Sequence, residues 1–166
     1  MNKFRIAFQG EKGAYSHIAC KEVYKDAEIK NCTTFEETFK IAFEDENVKA
    51  IIPLENSLAG RVADIHYLLP KYKLQIYGEH FQKVEHCLLS KQEAEFKDIK
   101  YIRSHAQAIG QCQNIIKKNN FKPIISADTA GSAKDLVDGK DKSIAAIASE
   151  LAAKIYGLKI LEKNIE

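Results

Sequence analysis

Five turns of the sequence share a polar composition that could bind an anion. Each follows a stretch typical of a strand and precedes one typical of a helix, and each supplies hydroxyls, amides or backbone N–H groups. Free N–H groups and the positive end of a helix dipole favour carboxylates and phosphates. Ordinary capping by Ser, Thr and Asp explains any one turn equally well, but five in a small chain favour a shared anion site. The turns are residues 9–16, 55–60, 104–107, 128–132 and 148–149.

Other catalytic patterns are weaker. The turn with Gly10 and Gly13 is not a phosphate-binding Walker loop, because no Gly-Lys-Ser/Thr follows, and it lacks the full dinucleotide fingerprint. Ser57, His105 and an aspartate could form a hydrolase triad, but Ser57 does not lie in Gly-x-Ser-x-Gly. Histidines and cysteines lack the spacing of a structural zinc site. We therefore expect neither a nucleotide nor a metal.

Strand-like and helix-like stretches alternate along the chain, which predicts an α/β fold with parallel strands. In such sheets, ligands bind at the carboxyl ends of the strands, where the five turns lie. The predicted strands are 4–8, 28–32, 49–54, 74–82, 84–89, 100–103, 122–126, 143–148 and 158–161. The predicted helices are 14–25, one capped by Thr34, 63–69 ending before Pro70, 105–119, 129–137 and 149–156.

The length, charge and cysteine content of the chain exclude several classes of protein. A length of 166 residues fits one domain or two small lobes. The 25 basic and 23 acidic residues leave a charge of +2, unlike a strongly basic nucleic-acid binder. The longest apolar run is far shorter than the roughly 20 residues of a membrane span, and no signal-peptide core is visible. Four scattered cysteines predict reduced, buried thiols, so we expect a cytoplasmic protein without nucleic-acid or membrane partners.

Five segments, in order, resemble motifs of the prephenate dehydratase family. They are Phe-Gln-Gly-x-x-Gly-Ala-Tyr-Ser at 8–16, Pro-Leu-Glu-Asn-Ser-x-x-Gly at 53–60, Ser-His-Ala-Gln at 104–107, Asp-Thr-Ala at 128–130, and 146–158. Ala106 stands where the family usually has proline, and alanine also suits a first helical turn.

The resemblance implies a fold like the type 2 periplasmic binding proteins. Two α/β lobes would be joined by two crossing strands, with the ligand cleft between the lobes. Lobe one would comprise residues 1–77 and 158–166, and lobe two residues 78–157. This agrees with the irregular stretch that begins near Gly78.

The resemblance also implies an activity: decarboxylating dehydration of prephenate to phenylpyruvate in L-phenylalanine biosynthesis. The ring hydroxyl would leave with CO2, with help from an acid and without a cofactor. The full-length protein would be a homo-oligomer, either a dimer or a tetramer. Two alternatives stay open, namely an arogenate dehydratase and a non-catalytic module that binds small carboxylates, because a fold does not determine a function.

Site roles follow from the matching motifs. His105 would be a neutral hydrogen-bond donor to the ring or hydroxyl, since the helix dipole disfavours its charged form, or else a packing residue. Glu55 would orient the substrate electrostatically or accept nearby N–H groups. Arg61 would screen the dianion or lie solvated on the surface. Backbone and side-chain groups of five residues would bind carboxylates, and three side chains would form a polar wall: Asn56, Ser57, Ser104, Thr129 and Ala130, and then Gln9, Tyr15 and Gln107.

The family's catalytic threonine belongs to a Thr-Arg-Phe motif expected after Glu166. We therefore expect a chain truncated before that motif, without the family's C-terminal ACT domain. Such a chain would fold both lobes and show little or no dehydratase activity.

Overall fold

A computed structural model describes residues 4–166, and this part of the chain forms two compact α/β units. The first unit comprises the residues up to Glu11 and Tyr15–Gln82. The second comprises Lys12–Ala14 and Lys83–Glu166. Among the described residues, no helix is long and apolar enough to cross a membrane.

The first unit is built on a parallel three-stranded sheet in the order β2-β1-β3. The central strand β1 is apolar, and Ile6, Ala7 and Phe8 are fully buried. Helices α2 and α3 pack together through Phe39 and Leu68. The elements are β1 (Arg5–Gln9), α1 (Tyr15–Val23), β2 (Glu28–Cys32), α2 (Phe35–Glu44), β3 (Val48–Ile51), β4 (Glu55–Asn56), β5 (Gly60–Arg61) and α3 (Ala63–Tyr72).

The second unit contains a five-stranded sheet in the order β10-β6-β9-β7-β8. Strands β7, β8 and β9 are parallel, whereas β6 runs antiparallel to both of its neighbours. The elements are β6 (Cys87–Ser90), a short 3₁₀ turn (Phe96–Asp98), β7 (Tyr101–Ser104), α4 (Ala106–Gln111), α5 (Gln113–Lys118), β8 (Lys122–Ile125), α6 (Thr129–Asp138), β9 (Ile144–Ala148), α7 (Glu150–Tyr156) and β10 (Lys159–Lys163).

Helices cover both faces of this second sheet, and β9 shows how the sequence achieves it. Ala145 and Ile147 pack in the cluster formed with α4 and α5, while Ala146 and Ala148 pack in the cluster formed with α6 and α7. Successive side chains of a strand point to opposite faces, so an uninterrupted apolar run serves both cores. The α/β prediction is thus confirmed.

The structure confirms several of the helix caps and helix ends that the sequence predicts from neighbouring residues. The Thr34 hydroxyl accepts from the N–H of Glu37, and the Asp128 carboxylate accepts from that of Gly131. Helix α6 ends at Gly139, and α7 ends at Gly157, which has the left-handed backbone that suits glycine. All four cysteines are buried and free. Burial raises the pKa of Cys20 and Cys112 to about 12.

Two predicted helices differ from the structure. Helix α3 contains Pro70 instead of ending before it. Pro70 lies in the last turn of α3, where it removes the one N–H that would donate to the His66 carbonyl. The predicted helix 105–119 is two helices, because the backbone of Cys112 leaves helical geometry (φ −101°, ψ 24°).

Of the strands predicted over 74–82 and 84–89, the first is absent from the described structure and the second is present only from Cys87 onward. Only Cys87–Ser90 forms a strand there, and residues 74–81 make no backbone–backbone hydrogen bond with other described residues. An extended segment becomes a strand only when a neighbouring strand offers a hydrogen-bonding ladder.

The division into units also differs from the one that the sequence suggested. The boundary falls between Gln82 and Lys83, and residues 158–166 belong to the second unit, not to the first. The reason is that β10 pairs antiparallel with β6, and the N–H of Ile165 continues this contact by donating to the carbonyl of His86 at 3.2 Å.

His86 is the buried histidine next to this contact. Its Nε2 lies 2.8 Å from Oε1 of Gln111, and its backbone N–H donates to the Glu166 carboxylate at 2.7 Å. Burial lowers the pKa of His86, although the Gln111 hydrogen bond and the Glu166 charge oppose part of this shift. The folded protein therefore holds this ring neutral at pH values where an unfolded chain would protonate it.

We predict that His86 makes the protein lose stability in mild acid. Below its ordinary pKa of 6.5, the unfolded state binds the proton first, so the free energy of unfolding falls as pH decreases. Urea denaturation between about pH 7.5 and 5 should show a smaller decrease for His86→Gln, which does not titrate, by at most about 1.4 kcal/mol per pH unit. His66→Gln, on the exposed side of α3, is the control. Equal pH slopes in wild type and His86→Gln would contradict the prediction.

Candidate functional site

In the first unit, the parallel strands bring polar residues from three turns to one edge of the sheet. Gln9 ends β1, and its amide Nε2 lies 3.4 Å from the Thr33 carbonyl in the turn after β2. Tyr15 begins α1 and is half-buried. Glu55 and Asn56 form the short strand β4, which follows β3 after three residues.

The loop after β4 is held by the Asn56 side chain. Its Oδ1 accepts from the N–H groups of Leu58 at 2.9 Å and Ala59 at 3.0 Å, as in an Asx turn. The Ser57 hydroxyl is exposed and makes no hydrogen bond with a described residue. Asn56 therefore shapes the loop, and Ser57 is the hydroxyl that the loop presents to solvent.

Glu55 and Arg61 lie opposite each other in the β4–β5 pair, and both are exposed. No described residue donates a hydrogen bond to the Glu55 carboxylate. The alternative in which Glu55 ties down nearby N–H groups is thus not what the structure shows. Its role as an electrostatic orienter stays a prediction.

In the second unit, two of the predicted substrate-binding residues are buried. Ser104 ends β7 and is fully buried, and its hydroxyl donates to the Ile147 carbonyl at 2.7 Å, which links β7 to β9. Ala130, in the first turn of α6, is also fully buried. Neither residue offers an atom to a ligand in this conformation. Both residues lie in turns of polar sequence, and the sequence of a turn does not show which of its residues are buried.

His105, and not Ser104, caps α4. Its Nδ1 accepts from the N–H of Gln107 over 3.3 Å. A neutral imidazole that accepts at Nδ1 carries its hydrogen on Nε2, and this tautomer is assigned from the hydrogen bond. The ring is half-buried, so Nε2–H can donate to a bound molecule. The side chain of Gln107 is exposed beside it.

The turn before α6 is a hydrogen-bonded cluster around Asp128. Its Oδ1 accepts from the N–H of Gly131 at 2.6 Å, and its carbonyl accepts from the Ser132 hydroxyl at 2.7 Å. The Ser126 and Ser132 hydroxyls also contact each other. Thr129 is half-buried, and its hydroxyl makes no hydrogen bond with a described residue. Asp128 is the cap, so the Thr129 hydroxyl is left for another partner.

In the turn before α7, the Ser149 hydroxyl is fully hydrogen-bonded inside the protein. The buried Ser149 hydroxyl donates to the Gly13 carbonyl at 2.5 Å and accepts from the N–H of Ala152 at 3.0 Å. A Cβ on Gly13 would lie 2.7 Å from Cα of Ala152, and Gly13 has a φ of +97°. Glycine is therefore required here for close packing, and the turn is not an anion site.

A cleft of about 430 Å³ lies elsewhere in the second unit, between α5 and residues 162–166. None of its lining residues belongs to the predicted site. Among the described residues, no group of three or more His, Cys, Asp or Glu side chains is arranged to hold a metal.

We predict that Gly131 is needed because of the Asp128 cap. A Cβ on Gly131 would lie 2.7 Å from Oδ2 of Asp128 and would displace the carboxylate. Glycine-to-alanine changes in helices normally stabilise by about 0.5–1 kcal/mol, whereas loss of a cap costs about 1 kcal/mol. Gly131→Ala should therefore be neutral or destabilising alone, yet stabilising by about 0.5–1 kcal/mol in an Asp128→Ala background.

Chemical denaturation of the four proteins in this cycle measures the coupling. Gly110→Ala is the matched control, because a Cβ on that helical glycine meets no atom within 4 Å. An equal effect of Gly131→Ala in both backgrounds would contradict the coupling.

Comparison with known proteins places this geometry in a family. The sequence profile of the prephenate dehydratase family matches residues 6–166. The bifunctional N-acyl-homoserine lactone acylase/prephenate dehydratase of Komagataeibacter europaeus is 43% identical over 161 residues, which cover 97% of this chain and 57% of that protein. The arogenate dehydratase/prephenate dehydratase 2 of Arabidopsis thaliana is 38% identical over 165 residues, which cover 99% of this chain and 43% of that protein.

The fold agrees with these sequence matches. The crystal structure of prephenate dehydratase from Arthrobacter aurescens superposes with a TM-score of 0.88 at 27% identity, over 97% of this chain and 55% of that one. The chain thus spans about half the length of the relatives it matches. Since the family profile covers nearly every residue and the solved enzyme shares the fold, this chain belongs to the prephenate dehydratase family.

Proposed function

We propose that the protein carrying this chain converts prephenate to phenylpyruvate, as part of L-phenylalanine biosynthesis. One observation supports the proposal most directly. Among the polar groups at the strand ends that make no hydrogen bond with a described residue are the Ser57 hydroxyl, the Thr129 hydroxyl and Nε2 of His105. All three lie in segments that match the family's motifs.

The proposed reaction requires groups that bind the substrate carboxylates and a proton for the departing hydroxide. It requires no redox cofactor. Prephenate carries two carboxylates and a ring hydroxyl. The bond from the ring to its carboxylate breaks and releases CO2, and that electron pair completes the aromatic ring as the C–O bond breaks. The departing hydroxide takes up a proton from solvent and becomes water, so atoms and charge balance. A hydrogen-bond donor held in place beside the developing hydroxide contributes roughly 10²–10³-fold to such a step.

We assign roles to the exposed groups on this basis. The Ser57 and Thr129 hydroxyls donate hydrogen bonds to the substrate carboxylates, and Nε2–H of His105 donates to the departing hydroxyl. Gln9 and Gln107 add amide groups to the polar wall. Fixing the ring and its hydroxyl in the reactive orientation lowers the barrier further.

Two related activities are candidates for the same site. Arogenate carries an amino group where prephenate carries a keto group, and the Arabidopsis relative is named for both substrates. The same groups could also bind a small carboxylate without converting it. The substrates and products of one assay distinguish these cases.

The acylase named for the Komagataeibacter relative is a weaker candidate for this chain. An acylase of the serine or cysteine type needs a nucleophile beside a base. Within residues 4–166, the Ser57 hydroxyl has no hydrogen-bonded base. Burial raises the pKa of all four thiols, which disfavours the thiolate. N-acyl-homoserine lactone therefore serves as the negative control.

Incubation of the full-length protein that carries this chain with prephenate, and separately with arogenate, tests the proposal. Phenylpyruvate and phenylalanine are separated by chromatography, and calorimetry with phenylpyruvate measures binding independently of turnover. His105→Ala should lower kcat/KM by about 10²-fold or more if the Nε2–H hydrogen bond stabilises the departing hydroxide, while His66→Ala should have no effect. Binding without turnover would favour the binding module, and absence of both would overturn the proposal.

We predict that Ser57 and Thr129 contribute to affinity and not to stability. Ser57→Ala and Thr129→Ala remove hydroxyls without internal partners, so the free energy of unfolding should change by less than about 0.5 kcal/mol. Each should weaken phenylpyruvate binding roughly tenfold or more, since hydrogen bonds to charged groups are worth about 1.5–3 kcal/mol. Asn56→Ala is the contrasting variant, because it removes the acceptor of two loop N–H groups. Unchanged affinity in Ser57→Ala and Thr129→Ala would disprove their assignment.

A further inference from the structure

Residues 74–81, which we call the strap, follow α3 in the first unit without forming a helix or strand. The strap makes no backbone–backbone hydrogen bond with other described residues. Three of its apolar side chains are largely exposed: Ile76 by 71%, Tyr77 by 81% and Phe81 by 86%. Its position on the first unit must therefore depend on side-chain contacts.

Side chains of the strap contact the rest of the first unit at every third residue. Leu74 packs against the cluster of Phe39 and Leu68, Tyr77 meets a lysine, and Nε2 of His80 lies 3.1 Å from the Glu22 carboxylate. In an extended chain with three residues per turn and no internal hydrogen bonds, every third side chain faces the same way. The strap thus has an inner side with three anchors.

The middle anchor is Lys49 on β3. Its Nζ lies 5.1 Å from the centre of the Tyr77 ring, 5.2 Å from that of Phe4 and 5.7 Å from that of Tyr24. The rings of Phe4 and Tyr24 also contact each other, with centroids 5.4 Å apart. Two of the rings therefore belong to the body of the unit, and the third belongs to the strap.

Among the described residues, these aromatic rings are the only groups that attract the ammonium of Lys49 at close range. No carboxylate of residues 4–166 lies within ion-pair distance of its Nζ, unlike Lys71, which pairs with Glu36 as well as contacting two tyrosines. A cation within about 6 Å of an aromatic ring centre is attracted by the ring's quadrupole. Loss of the ammonium would therefore leave Tyr77 without its main polar attraction to the body.

We propose that the strap is a detachable segment and that Lys49 is its latch, through the Tyr77 ring. The strap ends one residue before the boundary between the two units at Gln82 and Lys83. Release of the latch frees residues 75–79, between the anchors at Leu74 and His80, to move away from β3. Lys49 thereby acts as a positioning residue for the strap.

Limited chymotrypsin digestion of the 166-residue chain tests the latch, because Tyr77 and Phe81 are both preferred cleavage positions. Lys49→Met keeps the aliphatic stem but removes the charge, and should raise cleavage within the strap about twofold to fivefold, the range of one exposed cation–π contact. Lys49→Arg keeps a cation and should digest like wild type. Lys40→Met, on α2 and paired only with Glu44 among the described residues, is the control.

A double-mutant cycle separates the latch from general destabilisation. Tyr77→Leu should raise cleavage after Phe81 by the same factor as Lys49→Met, and the double variant should add no further increase. In NMR spectra, the Lys49 methylene signals should lose the ring-current shift from Tyr77 in Tyr77→Leu. Unchanged strap cleavage in Lys49→Met, additive effects in the cycle, or an equal rise at Tyr101 and Phe121 would each overturn the proposal.

Discussion

The N–H groups in the first turn of each helix are the constraint on which both units depend. A helix leaves these donors without partners inside its own backbone, and they must be satisfied when the turn is packed against a sheet. In α2, α4, α6 and α7 the task falls to Thr34, His105, Asp128 and Ser149, each of which accepts from an N–H of the helix that it precedes. The residues most suited to bind an anion are thus largely occupied in holding the turns.

This constraint explains how the motif residues divide between two tasks. Ser104 and Ser149 are buried, and a buried hydroxyl is costly unless it is hydrogen-bonded, so both donate to backbone carbonyls. Asn56 likewise uses its side-chain oxygen within its own loop. What remains for a ligand are groups beside the caps, notably the hydroxyls of Ser57 and Thr129. A family motif therefore combines residues that build the edge of a sheet with residues that face solvent.

The second unit depends most strongly on two-sided burial. Because helices cover both faces of its sheet, β9 is made of isoleucine and alanine, and small side chains allow α6 and α7 to approach closely. Such packing provides a rigid support for His105 and Thr129, which must be held in place if they are to orient a substrate.

The sequence by itself determined the features that arise from residues near one another in the chain. The alternation of strands and helices, the caps at Thr34 and Asp128 and the stop at Gly157 depend on periodicity and on hydrogen bonds across a few residues. The motif order also identified the family, since five segments had to match in sequence.

Tertiary structure decided the rest, because pairing and burial depend on residues far apart in sequence. The alternation in 74–82 predicted a strand, yet no ladder partner is present among the described residues, and the segment is held by side chains instead. Residues 158–166 join the second unit because β10 pairs with β6, some 70 residues earlier in the chain. From its sequence position, Ser104 could cap a helix or bind a ligand. In the structure, its hydroxyl instead donates to the Ile147 carbonyl. In each case, the deciding partner was chosen by the fold and not by the neighbouring residues.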